Sequence, residues 1–571
     1  MRISQRAMIV AFVLCFFYFF FLQLQAIWPF TVDDMYISLR YAKNWASGFG
    51  LVWNIGELPV EGYSNFLFVL LGRFALTLGV DPVVVLKSVG GIGLFLTCVA
   101  LYSLSRFWFP ARFALIPCIW LLAYQGQVIW SVSGLETTLY EALIAYSVIL
   151  LFKGAGFRFY PYPKTDGTDS IAFICAGFCL FIASMTRPEA PALMMLFLCL
   201  TGMLTVCSKR SLSHSVLGRA YISPSEGPRP STCSRDQEIL VNAKDDGTEL
   251  EQSGSREHVA GRRNSNCKQT ILFGFSFIIC FMPYFFWRWH FFGRLFPNPV
   301  YCKGVNGSVP FLLDKHYWAL IWPFALLAVP AILRQTDRRH YFLWLPSILY
   351  GILLWDASAE VAFYNRLFLP VFVLMLPLAL QGIEVMGMFL LTARRHPEQL
   401  AQLNLHRFKS ITLYFSAVLL IIFAIPKMSL ANLRHFTKNP LAGERLRENV
   451  IDWLDKNAKP GSHVALADSG LIPYRSSLNF IDSYCLNNAA ITQDLSVGMY
   501  PRLCEQVLQS KPDIIILTSL TEKGRLIYTP SDVCLAEKLR SSDYYTLQAS
   551  LSTSDTHHTY RYEIFQKRHS G

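Results

Sequence analysis

Two adjacent carboxylates, Asp33 and Asp34, open the polar stretch that follows the first apolar segment of the chain. A carboxylate at a membrane exit costs solvation free energy unless it lies in a polar cavity, so this position favours a functional role. A carboxylate can serve as a general base that takes a proton from a hydroxyl group. The alternative is a helix N-cap pair, because Asp34 stands at the start of a helical pattern. Both interpretations are open at this point.

The composition is that of a helical membrane protein. Hydrophobic residues make up 53% of the 571 residues and charged residues only 16%, against the ~25% that is typical of soluble domains. Repeated long apolar runs indicate spanning helices rather than a β-barrel. The net charge of +12 does not indicate nucleic-acid binding, because Lys and Arg cluster in loops between the apolar runs, as membrane orientation requires.

The apolar runs predict about eleven spanning helices. Arg2 and Arg6 precede the first run, at about 7–28, which predicts a retained anchor with the N-terminus in the cytoplasm. The other predicted spans lie at residues 83–106, 112–131, 136–153, 170–186, 190–207, 269–289, 317–333, 341–355, 367–391 and 410–426.

The outer loop at residues 29–81 is predicted to carry two surface helices. Residues 34–45 have an apolar face and a polar face with Arg40 and Lys43, which is typical of a helix lying on the membrane surface. Residues 65–79 are too short to span and contain Arg73. Their placement at the interface leaves the later basic loops on the cytoplasmic side.

Two further segments differ from the spans in composition. Residues 209–268 are polar, with few aromatic residues, and are predicted to be a disordered cytoplasmic insertion within a transmembrane domain at 1–429. Residues 430–571 have short apolar runs suited to buried strands, which predict a soluble α/β domain on the outer side. Cys485, Cys504 and Cys534 of this domain could form disulfides, but the sequence does not decide which.

Several motifs resemble those of the GT-C glycosyltransferases, most closely the bacterial arabinofuranosyltransferase branch that completes arabinan. The most specific are DDMYISLRYAKNWASGFGLVWNIGE at 33–57 and EGYSNFLF at 61–68. The resemblance continues through SGLE at 133–136, RPE at 187–189, PNPVYCK at 297–303, ADSG at 467–470 and IDSYCLNN at 481–488. The chain departs from the pattern at Cys485, where glycine is expected, and at residues 354–355, where a glycine pair is expected.

The resemblance implies a polytopic α-helical membrane enzyme of GT-C type with a C-terminal extracytoplasmic α/β domain. Such an enzyme uses a polyprenyl-phosphate sugar as donor on the outer face of the bacterial cytoplasmic membrane. The implied partners are this donor, an envelope glycan acceptor and the lipid bilayer, and the implied sugar is arabinofuranose or another pentose. By the spacing to Ala46-Ser47-Gly48, Asp33 matches the general base and Asp34 the neighbouring acidic position.

Glycosyl transfer also needs cations, because negative charge builds on the leaving phosphate in the transition state. The candidates on the outer side are Arg187, Lys303 and Arg366. The alternative for each is the role of an interfacial charge that reaches into water. For Arg187 an internal salt bridge with Glu189 is a further alternative. For Arg40 the interfacial role is favoured. Glu136 opens a helix and is expected to cap that helix. Whether a divalent cation bridges Asp33 and the phosphate is left open, because no ligand cluster identifies a metal or cofactor.

Sugar and acceptor hydroxyl groups have a separate set of candidates. Trp53 could stack on a sugar face, and Glu61, Tyr63 and Asn65 could bind hydroxyl groups, with a turn and interfacial aromatics as the alternative. Asp356 belongs to this set through the resemblance. Two other functions stay open: a lipid-linked sugar transporter or flippase, which predicts polar residues at helix centres, and a non-catalytic subunit of envelope assembly. The apolar centres of the predicted spans favour the enzyme.

Overall fold

The computed structural model describes Leu14, Phe17, Tyr18 and residues 20–165, 167–206, 250–302, 315–334, 337–354, 363–392, 430–488, 499–522, 525–553 and 559–568. Lys303, Asp356 and the predicted span at 410–426 lie outside these residues, as does most of the predicted insertion.

Helices make up most of the described chain as far as residue 457. Their bounds are α1 (20–27), α2 (Asp34–Ala46), α3 (Phe66–Thr77), α4 (Pro82–Ser105), α5 (Ala111–Ala114), α6 (Ile116–Ala123), α7 (Gln125–Ser131), α8 (Thr137–Gly154), α9 (Ser170–Ser184), α10 (Ala190–Val206), α11 (Leu250–Phe292), α12 (Asn298–Cys302), α13 (Lys315–Arg334), α14 (Tyr341–Leu353), α15 (Leu369–Thr392) and α16 (Leu430–Asn457), with 3₁₀ turns at Arg338–His340 and Phe363–Phe368.

Four helices within the described residues are long and apolar enough to cross a membrane. They lie at Pro82–Ser105, Thr137–Gly154, Lys268–Phe292 and Tyr364–Phe389. Four other apolar helices are shorter, at Phe66–Thr77, Ser170–Ser184, Ala190–Leu204 and Trp322–Arg334. A helical membrane protein is therefore confirmed, whereas the count of about eleven spans stays a prediction.

The predicted span at 112–131 is bent in the structure. Residues Ala111–Ala123 and Gln125–Ser131 form two helical parts that meet at an angle of 75°. Tyr124, at the bend, has an extended backbone conformation and its hydroxyl donates to the carbonyl of Tyr364 at 2.9 Å. The bend brings Trp130 to the wall of a cavity described below.

Helix α2 is not the surface helix that its amphipathic pattern predicts. Leu39 and Ala42 are fully buried on its apolar face, yet Arg40 and Asn44 on its polar face are also buried. The reason is that C-terminal residues cover the polar face: Arg40 donates to the carbonyl of Leu478 at 3.1 Å and to that of Pro473. Buried hydrogen-bond acceptors replace water here, so the interfacial role favoured for Arg40 is also wrong.

Helix α11 begins within the predicted insertion. It runs without interruption from Leu250 to Phe292, a length of 43 residues. The disordered insertion at 209–268 stays a prediction. Once the apolar part from Lys268 has formed a helix, each further residue adds a backbone hydrogen bond without a new nucleation cost, so the polar part can continue it.

The C-terminal part contains a six-stranded mixed sheet in the order β2-β1-β3-β6-β5, with β4 beside β3. Strands β1 and β2 are parallel, as are β1 and β3, whereas β6 is antiparallel to β3 and β5. The elements are β1 (His463–Leu466), α17 (Leu471–Arg475), β2 (Asn479–Asp482), α18 (Met499–Gln509), β3 (Ile514–Glu522), β4 (Arg525–Tyr528), α19 (Pro530–Arg540), β5 (Tyr545–Ser552) and β6 (Thr559–Lys567).

Two disulfides are present among the described residues. Cys504 pairs with Cys534 inside the C-terminal part, whereas Cys485 pairs with Cys302, which follows α11. Cys485 has a positive φ of 106°, a conformation that favours glycine. The cysteine that stands in place of the family's glycine thus forms a disulfide with a residue 183 positions away in the chain.

Candidate active site

Two neighbouring cavities lie between the start of α2 and the C-terminal sheet. The first, of about 340 Å³, is lined by Asp34, Trp130 and Arg366 among others, and we call it the Arg366 cavity. The second, of about 640 Å³, is lined by Gln125, Tyr364 and Phe436 among others, and we call it the Phe436 cavity. Five residues line both cavities and define the junction between them: Val32, Asp33, Arg447, Tyr560 and Tyr562.

Asp33 is held at the junction by groups from the C-terminal part. Its Oδ1 accepts a hydrogen bond from the backbone N–H of Leu471 at 2.9 Å and lies 3.1 Å from Nε of Arg447. A Cβ added to Gly470 would lie 2.0 Å from Oδ2 of Asp33, so only glycine allows this close approach. The side chain of Asp33 makes no capping hydrogen bond to α2, so the N-cap alternative does not account for it.

Arg447 is shared between two carboxylates. Its Nε also donates to Oδ2 of Asp468 at 2.8 Å, and the hydroxyl of Tyr562 donates to the same oxygen. Burial raises the pKa of Asp33 well above its ordinary value, and the charge of Asp468 raises it further although Arg447 opposes the rise. Against the same burial, Arg447 holds the pKa of Asp468 below its ordinary value. Of the two carboxyl groups, Asp33 is therefore the one that holds a proton more readily.

Asp34 points into the Arg366 cavity. Its side chain is 43% exposed, against 15% for Asp33. Its Oδ2 lies 3.9 Å from Nη1 of Arg366, which is longer than a hydrogen bond. The two adjacent carboxylates therefore have different surroundings, one fixed by the C-terminal part and one facing the cavity.

Glu136 joins both predicted phosphate-binding arginines. Its Oε1 lies 3.0 Å from Nε of Arg187 and 3.0 Å from Nη2 of Arg366, and its Oε2 accepts from the side chain of Asn65 at 3.2 Å. The predicted capping role is wrong, since the side chain of Glu136 makes no capping hydrogen bond. The partner of Arg187 in this cluster is thus Glu136 rather than Glu189. Gly134 permits this turn, because it has a φ of +85° and an added Cβ would lie 2.1 Å from Sδ of Met35.

The Glu136 cluster carries an excess of positive charge. Burial alone would raise the pKa of Glu136, but Arg366 and Arg187 lower it to about 2, so the group is a carboxylate at neutral pH. One carboxylate then faces two guanidinium groups. Within the described residues, Nη1 of Arg187 and Nε of Arg366 are buried without a hydrogen-bond partner. Unsatisfied donors of this kind can bind an anion.

The structure separates the predicted phosphate-binding residues. Arg366 lines the cavity that contains Asp34, whereas Arg187 lies behind it, joined through Glu136. Lys303 is outside the described residues, and so is Asp356 from the sugar-binding set.

The predicted sugar-binding residues lie away from the junction. The prediction for Trp53 is wrong: its ring is 2% exposed and the guanidinium carbon of Arg40 lies 4.8 Å from the ring centroid, which leaves no face for a sugar. Tyr63 is buried among aromatic rings, and its centroid is 4.8 Å from that of Tyr41. Glu61 pairs with Arg288 at 2.6 Å beside a separate cavity of about 60 Å³. Of the four members of this set that the structure describes, Asn65 alone contacts the site, through Glu136.

Sequence reasoning missed Arg447 and Tyr562 and did not name Asp468 as a candidate site residue. The ADSG motif that contains Asp468 was recognised, and its glycine explains the contact with Asp33. No sequence signal relates Arg447 to Asp33, since they are far apart in the chain. Within the described residues, no group of three or more His, Cys, Asp or Glu side chains is placed to hold a metal ion. Whether the reaction uses a divalent cation is tested by the assay described below.

Comparison with known proteins identifies the fold. The structure is similar to that of ArnT from Cupriavidus metallidurans bound to undecaprenyl phosphate, with a TM-score of 0.50 and 12% identity, over 99% of this chain and 98% of ArnT. This similarity confirms the GT-C fold, and the arabinofuranosyltransferase-like branch stays a prediction. An oligosaccharyltransferase from Archaeoglobus fulgidus, tethered with an acceptor peptide, has a TM-score of 0.48 and 11% identity over 90% of this chain and 74% of its own. We draw no conclusion from that weaker likeness.

Sequence comparison adds little to the structural similarity. A family model described as "Domain of unknown function (DUF8728)" matches residues 432–565, which contain α16 and nearly all of the C-terminal sheet. No curated protein matches the chain.

Proposed function

We propose that this chain is a membrane glycosyltransferase that moves a sugar from a polyprenyl phosphate to a hydroxyl group of an envelope glycan. The observation that supports this most directly is that Asp33, Asp34 and Arg366 line one cavity. A carboxylate base and a cation for the leaving phosphate are the two groups that the reaction requires. Their convergence on one space joins residues that are more than 300 positions apart in the chain.

In the proposed reaction, Asp33 takes the proton of the acceptor hydroxyl group. The hydroxyl oxygen then forms a bond to the anomeric carbon of the donor sugar. The bond from that carbon to the phosphate oxygen breaks, and its electron pair leaves with the polyprenyl phosphate. Arg366 stabilises the charge that develops on the phosphate, and Arg187 and Glu136 orient Arg366.

Position and basicity both favour Asp33 as the base. Asp33 lines both cavities, so an acceptor in the Phe436 cavity and a donor in the Arg366 cavity would meet beside it. Its raised pKa makes it a stronger proton acceptor than an ordinary aspartate once the proton shared with Asp468 has left. Asp34 would then face the donor sugar.

The donor, the sugar and the location belong to the same proposal. The undecaprenyl phosphate in the ArnT structure supports a polyprenyl-phosphate donor. The motifs at 33–57 and 61–68 favour arabinofuranose or another pentose. We place the site on the outer face of the bacterial cytoplasmic membrane, with the N-terminus in the cytoplasm. The Cys302–Cys485 and Cys504–Cys534 disulfides support this orientation, because disulfides persist in oxidising compartments.

A transfer assay tests the proposal. The full chain, purified and reconstituted in vesicles, is supplied with a radiolabelled polyprenyl-phosphate arabinofuranose and an arabinan acceptor. Loss of a general base lowers the rate by about 10²–10⁴-fold, and we expect this loss for Asp33→Asn. Asp452→Asn is the matched control, because Asp452 is an exposed carboxylate on α16, the helix that carries Arg447. A parallel reaction with a chelator tests for a divalent cation.

Two results would contradict the proposal. Transfer by Asp33→Asn and Asp34→Asn at the rate of the Asp452→Asn control would remove the base from this pair. Movement of the labelled lipid across the vesicle membrane without transfer to any glycan would instead identify a transporter.

A further inference from the structure

A third cavity lies at the far end of α8 from the Glu136 cluster. It has a volume of about 550 Å³ and is bounded by the end of α4, the end of α8 and the start of α9. We call it the basic basin. Helix α8 has 18 residues, which at 1.5 Å per residue give ~27 Å, close to the ~30 Å thickness of a bilayer core. The basic basin therefore opens at the membrane face opposite the candidate active site.

The basic basin is positively charged. It is lined by Arg106, Lys153 and Arg158, and within the described residues none of the three has a carboxylate partner within 4.0 Å. Asp169 also lines it, but this carboxylate accepts hydrogen bonds from the backbone N–H groups of Ile171 at 3.0 Å and Ala172 at 3.3 Å. The carboxylate of Asp169 thus caps the first turn of α9 and does not neutralise the three cations.

One aromatic ring, that of Phe159, lies near two of these cations. Nζ of Lys153 lies 5.1 Å from the ring centroid of Phe159, and the guanidinium carbon of Arg106 lies 6.0 Å from the same centroid. Two like charges on one ring repel each other, and an anion between them would remove that repulsion. Thr168 adds a donor, because its Oγ1 accepts from Gln269 at 3.0 Å and its own O–H is left to donate.

An apolar track leads away from the basic basin along α9. Ile171, Ile174 and Phe178 lie on one face of the helix and are 71%, 43% and 48% exposed. The spacing of three and four residues is that of a single helix face. An anionic head next to such a track fits a lipid, whose acyl chains would cover these side chains, better than it fits a free ion.

We propose that the basic basin binds the phosphate of an anionic phospholipid in the leaflet opposite the candidate active site. Arg106, Lys153 and Arg158 contact the phosphate, and the acyl chains lie along Ile171, Ile174 and Phe178. Basic pockets between helices at a membrane face are suited to such head groups. This binding is independent of the proposed transfer reaction, since it uses none of the residues assigned to that reaction.

Native mass spectrometry of the full chain tests this site. The protein is released from nanodiscs that contain phosphatidylcholine and phosphatidylglycerol in equal amounts, and the retained lipid is identified. We expect phosphatidylglycerol to be retained by the unaltered chain. The double variant Lys153→Gln with Arg158→Gln should retain at least about tenfold less, since each cation near a membrane surface contributes to anionic-lipid binding.

Arg334→Gln is the matched control, because Arg334 is an exposed arginine at the end of a neighbouring apolar helix and does not line the basic basin. It should retain phosphatidylglycerol as the unaltered chain does. Equal retention of both lipids, or equal loss in the control and the double variant, would overturn the proposal. Displacement of the retained lipid by inorganic phosphate at millimolar concentration would also overturn it, because the site would then recognise a free ion.

Discussion

Glu136 and Glu61 are both buried glutamates that pair with arginine, yet the structure gives them opposite electrostatic characters. Glu136 faces two arginines, which hold its pKa at about 2. Among the described residues Glu61 faces one arginine, Arg288, and burial raises its pKa to about 7 although Arg288 opposes the rise. Burial is similar for both glutamates. The number of nearby cations therefore decides whether the carboxylate or the protonated carboxyl group is favoured.

The two sites differ in a second respect. Arg366 of the Glu136 cluster lines a cavity of about 340 Å³, whereas the Glu61–Arg288 pair lies beside a cavity of about 60 Å³. A surplus of cations beside open space is suited to binding an anion. A one-to-one pair with little space is suited to joining two segments of the chain. This difference separates a candidate active site from a structural contact. Arg366 of the first and Glu61 of the second were both expected from the sequence to contact substrate.

The largest expected effect concerns the stability of the Glu136 cluster. Glu136→Gln leaves two buried arginines without their carboxylate, and removal of one partner of a buried ion pair costs about 3–5 kcal/mol. Glu61→Gln leaves a single arginine, which still donates to the carbonyl of Leu295, so we expect a smaller loss. Denaturation of the two variants in matched detergent measures both. Equal destabilisation would show that the second arginine adds nothing.

Arg366→Gln tests whether the cation at the cavity stabilises the transition state. Loss of a preorganised group of this kind lowers kcat by about 10²–10³-fold. Arg288→Gln removes an equally buried arginine from the other site and should leave kcat near that of the unaltered chain. The transfer assay measures both. A similar fall in both variants would mean that Arg366 acts through folding alone.

Asp468→Asn tests whether the charge of Asp468 raises the pKa of Asp33. Removal of this negative charge should lower the pKa of Asp33. Transfer needs Asp33 without its proton, so the rate increases as the pH rises through this pKa, and the acidic limb of the kcat/KM profile should move to lower pH. Asp452→Asn again serves as control. An acidic limb that stays in place would refute the coupling.

The smallest expected effect is a pH dependence of stability with opposite signs at the two glutamates. The folded-state pKa of Glu136 is below its ordinary 4.5, so its contribution is present above that pH and is lost as the pH falls towards about 2. The pKa of Glu61 is raised, so its contribution is present below pH 4.5 and is lost as the pH rises through about 7. Between pH 5 and 7 the melting temperature should therefore decrease because of Glu61. Glu61→Gln should make that slope smaller, and an unchanged slope would assign it to other groups.

The sequence alone determined the class of protein and the segment that contains the site. Long apolar runs indicate helices that lie in a membrane, because hydrocarbon excludes charged groups. Asp33, Asp34 and Arg366 were recognised because their residue types and neighbours resemble a family pattern. The reasoning from the amphipathic pattern of α2 was wrong for Arg40, because such a pattern shows that a face is polar and does not show whether water or protein covers it.

Only the tertiary structure decided which charged groups meet. Arg447 contacts Asp33 across more than 400 residues, Glu136 joins Arg187 to Arg366, and Cys302 pairs with Cys485. The pKa values of these groups depend on distances of about 3 Å and on burial, because Coulomb energies change steeply over that range. A linear sequence contains no such distances, so it could name candidate residues but could not say which of them face one cavity.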